Sequence, residues 1–170
     1  GLFMESESHQ AIYTVPASGG KAVQVSPERE AILLPRWSSN GERIYLRAYH
    51  ETDGVTIAYV PAAGGDFFEV PVPSERKLVS VVPGGGLNVS PDGKRIVISA
   101  FQQPWRVEEG LDIWTVALDG GAPTRLTSDR QREGHPCWSP DGQRIAFTKR
   151  EQKSEDEDSY HIIYTIPARG

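Results

Sequence analysis

Apolar residues fall along the chain in short runs separated by glycine, proline and small polar residues, and no stretch repeats at the spacing of an amphipathic helix. Three of the runs look alike: Arg43-Ile-Tyr-Leu46, Arg95-Ile-Val-Ile98 and Arg144-Ile-Ala-Phe147. They are rich in β-branched and aromatic residues, which predicts strands. Each follows a four-residue polar cluster: Ser38-Ser-Asn-Gly41, Ser90-Pro-Asp-Gly93 and Ser139-Pro-Asp-Gly142. In Ser-Pro-Asp-Gly, proline supplies a φ near −65°, aspartate bonds to the backbone just ahead, and glycine takes the positive φ, so the cluster predicts a hairpin turn. Ser-Asn-Gly is a related hairpin signal whose turn could differ in type.

The two halves of this pattern recur together. The first motif spans Pro35–Leu46, Leu87–Ile98 and Pro136–Phe147, with its glycines at Gly41, Gly93 and Gly142. A second begins at Ile12, Ile57, Ile113 and Ile163: an apolar run leading to a glycine, doubled in the first three copies. After each of those three a further short strand is expected: Lys21–Val25, Phe67–Val72 and Thr124–Thr127. Both motifs share a period of about 50 residues with four strands in each, the pattern of a propeller blade. The fold class is all-β, a partial β-propeller of four-stranded antiparallel blades with about three repeats. With strands lettered a to d outward from the axis, residues 2–28 supply b, c and d of a first blade. Residues 35–72 and 87–128 form complete second and third blades, and 136–170 supply a, b and c of a fourth. A blade hides its faces only against neighbours. The chain is therefore expected to be part of a longer propeller or, by pairing of two copies, half of a six-bladed ring, and to self-associate in isolation.

Composition narrows the partners. The 170 residues carry a net charge of −5 with a pI near 5.4, and such a surface gains little from releasing counterions of a polyanion, which argues against nucleic acid. No apolar run approaches the ~20 residues of a membrane span, and no signal peptide is visible. Cys137, the single cysteine, lies beside Trp138 in an apolar stretch and reads as a buried structural thiol.

The Gly-closed hairpins are uniform, whereas the b–c and d–a connections vary in length and composition. These connections share one face of a propeller, and variable loops on a rigid scaffold are where binding residues concentrate. Candidates there are Trp105 and Arg106 in the connection Gln102–Gly110, as an interface anchor, and Glu155 and Asp156 in an acidic run. The run lacks the spaced oxygen ligands and turn glycine of a calcium loop, and reads as a solvated charge stretch or a contact for a basic surface. His50, His135 and His161 lie in or beside the same connections, as does His9, but no pair has ligand spacing. No cofactor and no metal site are read. Ser38, Ser90 and Ser139 belong to the turn motif, and there is no Gly-x-Ser-x-Gly elbow, so no catalytic residue is assigned.

Pro136-Cys-Trp-Ser-Pro-Asp-Gly-Gln-Arg-Ile-Ala-Phe147, taken with Asp112-Ile-Trp-Thr-Val116, Gly120-Gly121 and Arg125-Leu-Thr127, resembles the repeat of TolB-type propellers. The same repeat occurs in the propeller domains of the prolyl oligopeptidase family and of tricorn-like proteases. The resemblance covers nearly the whole chain. It implies a scaffold that binds a protein or peptide through loops on one face, in an exported, periplasmic or secreted, protein. Its alternatives are the gating propeller of a serine peptidase whose catalytic domain lies elsewhere, and a metal-dependent polysaccharide lyase. It further implies that Trp37 and Trp138 wedge between blades and that Asn40, Asp92 and Asp141 fix the a–b turns. Val89 departs from the pattern where the other copies have Trp.

Overall fold

A computed structural model describes residues 9–29, 32–50, 54–71, 86–101, 110–129, 131–151 and 159–169. Every regular element among them is a strand, and the strands form four antiparallel sheets. The first pairs β1 (Tyr13–Thr14) with β2 (Val23–Gln24). The second runs in chain order through β3 (Ile32–Trp37), β4 (Arg43–His50), β5 (Gly54–Pro61) and β6 (Phe68–Glu69). The third repeats this with β7 (Leu87–Val89), β8 (Arg95–Ala100), β9 (Asp112–Ala117) and β10 (Thr124–Arg125). The fourth holds β11 (Glu133–Trp138), β12 (Arg144–Glu151) and β13 (Tyr160–Pro167).

The a–b turns take one geometry in all three copies. The serine hydroxyl donates to the Asx side chain two residues on: Ser38 to Asn40 Oδ1 at 2.7 Å, Ser90 to Asp92 Oδ1 at 2.6 Å and Ser139 to Asp141 Oδ1 at 2.6 Å. The same hydroxyl accepts from the first N–H of strand b, on Arg43, Arg95 or Arg144, at 2.9 Å each time. Gly41, Gly93 and Gly142 close the turns at φ 71°, 69° and 70°, where a Cβ is strained. The different turn type considered for Ser39-Asn40 is not found, because the Asn40 amide oxygen accepts from Glu42 N at 3.2 Å as the aspartates accept from Lys94 and Gln143.

Side chains alternate across each strand, and the alternation divides the apolar residues among three seams. Ile12 and Val25 of the first sheet meet Ile44, Leu46 and Val60 of the second. Tyr45, Ile57 and Val70 leave the other face of the second sheet to meet Ile96, Ile98, Trp114 and Val116 of the third. Val97 and Ile113 point oppositely from the third sheet onto Trp138, Ile145 and Phe147 of the fourth. Neighbours in sequence such as Ile96 and Val97 are both fully buried, in different seams. Burying each such side chain contributes about 1.5–3 kcal/mol, so the sheets are held as a stack rather than one by one.

Two details depart from expectation. Strands a of the second and fourth sheets begin at Ile32 and Glu133, before the prolines at 35 and 136 where the repeat pattern placed them. Proline ordinarily marks a strand boundary because it cannot donate to a ladder. Here a bulge interrupts each register, between Leu33 and Arg36 and between Gly134 and Cys137, and takes the proline within the strand. Leu34 and His135 carry the positive φ of the bulges, 57° and 51°. The third copy has Gly86 at this position, where a Cβ would lie 2.6 Å from Pro136 Cδ and 2.9 Å from His135 Cα. Innermost strands of adjacent sheets thus approach to backbone contact. The second departure is Cys137, which is exposed rather than buried. Trp138 faces the third sheet, so its neighbour in the strand faces away.

Candidate functional site

A concavity among the described residues lies on the hairpin face, across the seam between the third and fourth sheets. It is a cleft of about 660 Å³ between the turn at Pro91-Asp92, the turn at Asp141-Gly142 and the end of β13 at Ala168-Arg169. A second hollow of about 390 Å³ shares Arg95, Ala168 and Arg169 with it and continues toward the rim of the third sheet past Ala117, Ala122 and Leu126. The two make one groove. Arg95, on the wall of both hollows, lies 4.7 Å above the indole ring of the buried Trp138. Arg95 Nη1 also donates to Ala168 O at 3.4 Å. These contacts hold the guanidinium flat at the point where the two hollows meet.

The carboxylates on the groove wall are committed to their own turns. The hydroxyl of Ser90 and the N–H of Lys94 hold the Asp92 carboxyl below its ordinary pKa, and Ser139 and Gln143 do the same for Asp141. Both remain charged at neutral pH. Among the described residues neither Arg95 nor Arg169 forms an ion pair.

A buried polar cluster occupies the other end of the same seam, where the chain passes from the third sheet to the fourth. Glu133 is 1% exposed, and its carboxylate accepts a short hydrogen bond from the Thr127 hydroxyl. That hydroxyl in turn accepts from Ile113 N at 2.8 Å. Asp112 pairs with Arg125 at 2.6 Å, and Lys149 pairs with Asp129 at 2.5 Å. Backbone bonds from Glu133 N to Leu111 O and from Arg150 N to Arg132 O complete the tie. Burial pushes the Glu133 carboxyl up to about 7, against the pull of the Thr127 bond; Asp129 and Asp112 add to the rise and Lys149 opposes it. A carboxyl titrating near neutrality suits proton transfer, but one sealed between sheets cannot meet a substrate. Its work is to pin the crossover.

The residues singled out in the sequence distribute differently. Trp105, Arg106, Glu155 and Asp156 lie outside the described residues. His50 ends β4, its backbone opposite Gly54. His9 is exposed beside Gln10, which bridges to Arg29. His135 is exposed, with Nδ1 3.1 Å from Thr148 Oγ1, so the ring supports the bulge in β11. His161 is exposed on β13 opposite Arg150. Among the described residues no three His, Cys, Asp or Glu side chains converge as a metal site. Of the two tryptophans expected to wedge between blades, Trp138 does so at 8% exposure, whereas Trp37 is 55% exposed and packs in none of the described cores. Sequence reasoning passed over Arg95, Arg169 and Glu133. Arg95 carried a signal, since Arg43, Arg95 and Arg144 recur before each strand b; Glu133 carried none beyond its place three residues before Pro-x-Trp.

No family model matches the chain. It is 32% identical over 129 residues to the Tol-Pal system protein TolB of Anaeromyxobacter dehalogenans, covering 75% of this chain and 26% of that protein. It is 24% identical over 155 residues to the uncharacterized peptidase YuxL of Bacillus subtilis, covering 91% of this chain and 20% of that protein. The chain therefore spans between a fifth and about a quarter of the length of these two relatives. Among solved structures, TolB from Acinetobacter baumannii superposes with a TM-score of 0.62 at 18% identity, covering 89% of this chain and 34% of that one.

Proposed function

We propose, from the premise that this chain belongs to the TolB-type β-propeller repeat family, that it is a binding module for a protein or peptide partner rather than a catalyst. The observation that carries this reading is the groove of two joined hollows across the third seam, walled by hairpins that the repeated Ser-Asx-Gly geometry fixes in advance. Walls ordered before binding lose little entropy when a partner docks. The b–c and d–a connections, with Trp105 and Arg106 among the residues singled out in the sequence, are further candidates for partner contact. The same resemblance supports an exported protein, periplasmic or secreted.

Photo-crosslinking tests this reading. A photoreactive residue in place of the exposed Gln143, or in place of Trp105, should trap a discrete adduct in the native host, and excess unlabelled chain should compete it away. Absence of any competed adduct at both positions would overturn the proposal. A second reading draws on the likeness to the peptidase YuxL: the chain would be a propeller that filters peptides for a serine peptidase domain in the same polypeptide. Labelling of the polypeptide encoded by the whole reading frame with a serine-directed fluorophosphonate would select that reading.

A further inference from the structure

We infer that the groove receives an extended peptide segment bearing an acidic side chain, whose carboxylate is held between Arg95 and Arg169, with a small apolar residue alongside in the hollow of Ala117, Ala122 and Leu126. This rests on the peptide-binding reading above and gives it a site and a ligand chemistry.

Charge comes first. Arg95 and Arg169 line both hollows, and among the described residues neither forms an ion pair, although the charge of Arg95 is felt by Asp92 on the same wall. A guanidinium that must be immobilised on binding costs side-chain entropy. Arg95 is already immobilised by Trp138 and the Ala168 carbonyl, and its remaining N–H donors are available to a planar acceptor. Asp92 and Asp141 stand on the same wall, ionised and each held through Oδ1 by its own turn. They repel a ligand with charge at every position, which disfavours a polyphosphate chain, yet leave room for a single carboxylate.

Shape then selects the length. One hollow alone has the volume of an ordinary small-ligand site, roughly 300–1,000 Å³. Two in line, meeting at the arginines, fit a segment with side chains on either side of the acid. In the neighbouring seam a Cβ built on Gly93 would lie 2.8 Å from Ser39 Oγ, whereas here a Cβ on Gly142 would lie 3.7 Å from Pro91, so the two turns that wall this groove are less tightly apposed. The second sheet's arginine, Arg43, lies over Tyr59 of its own sheet.

Titration of the 170-residue chain, followed by NMR, with acetyl-Leu-Ala-Glu-Ala-Ala-amide and with its Gln counterpart tests the site. The Glu peptide should shift the Trp138 indole N–H saturably and bind about ten-fold tighter than the Gln peptide, the size of one charge-assisted hydrogen bond. Arg169→Ala, on an exposed residue, should remove most of that preference at unchanged melting temperature; Arg95→Gln should do the same if it folds. Equal binding of the two peptides, no saturable shift up to about 5 mM, or a preference that survives Arg169→Ala would each overturn the assignment. The crosslinking experiment stands apart: competed adducts with no peptide preference would remove this site alone, while their absence removes the broader reading as well.

Discussion

The seam between the second and third sheets and the seam between the third and fourth use the same repeat positions and reach different ends. In the first, Val89 occupies the motif position filled by Trp138 in the second. The smaller side chain lets the a–b turns close on each other at Ser39 and Gly93. The core there is the largest of the three, and one cation crosses it: Arg47 donates to Ser99 O at 3.2 Å, and burial lowers its pKa to about 10, leaving it charged at neutral pH. In the second seam the larger indole is buried in the core with Val97 and Ile113, Arg95 covers it, and Asn88 Oδ1 reaches over to accept from Trp138 N at 3.1 Å. The turns are less tightly apposed here, and the groove opens beside Arg95. The two seams thus differ at one motif position, a valine in the first and a tryptophan under an arginine in the second.

Trp138→Ala is the severest way to break this contrast. Removing a buried indole and leaving its cavity should cost about 3–5 kcal/mol, measured by urea unfolding. A cost near that of a surface substitution would mean that Trp138 does not support the groove.

Glu133, 1% exposed, offers a second test of this seam. Its folded pKa, about 7, lies above the ordinary 4.5. Its stabilising contribution is therefore fully present below about pH 4.5 and is lost as pH rises through about 7, in total about 3 kcal/mol. Wild type should lose that much more stability than Glu133→Gln between the two ends of this window. Parallel pH profiles for the two proteins would show that the carboxyl is already ionised in its seam. The smallest expected effect is at Trp37. Half exposed, it should tolerate Ala within about 0.5 kcal/mol, which would tie the energetics to burial in the seam rather than to membership of the motif. A loss approaching that of Trp138→Ala would contradict its exposure.

Much of the architecture could be read before any coordinates. Ser-x-Asx-Gly specifies its turn locally, since the turn's hydrogen bonds link the serine, the Asx side chain and backbone groups within five residues, and the expected hairpins at 38–41, 90–93 and 139–142 are all present. The groove was not legible in the same way. Arg95, Trp138 and Arg169 come from two sheets, and their meeting depends on how far apart two turns stand. Glu133 was invisible for a similar reason: a carboxylate three residues before Pro-x-Trp reads as solvated until Thr127 and the adjoining sheet close over it. The two embedded prolines were misjudged because a bulge, which no residue in the strand announces, takes each of them within β3 or β11, and Cys137 because it alternates with the buried Trp138.

By itself, then, the chain's pattern determined that it forms strands, where they turn and how they repeat, because those choices are settled by backbone conformations and hydrogen bonds within a few residues. Only the tertiary structure decided how deeply each copy of the motif is buried and which acid is sealed inside. Those outcomes depend on the volumes and charges that one sheet presents to the next, residues some fifty positions apart, and the repeat leaves them free to differ from copy to copy.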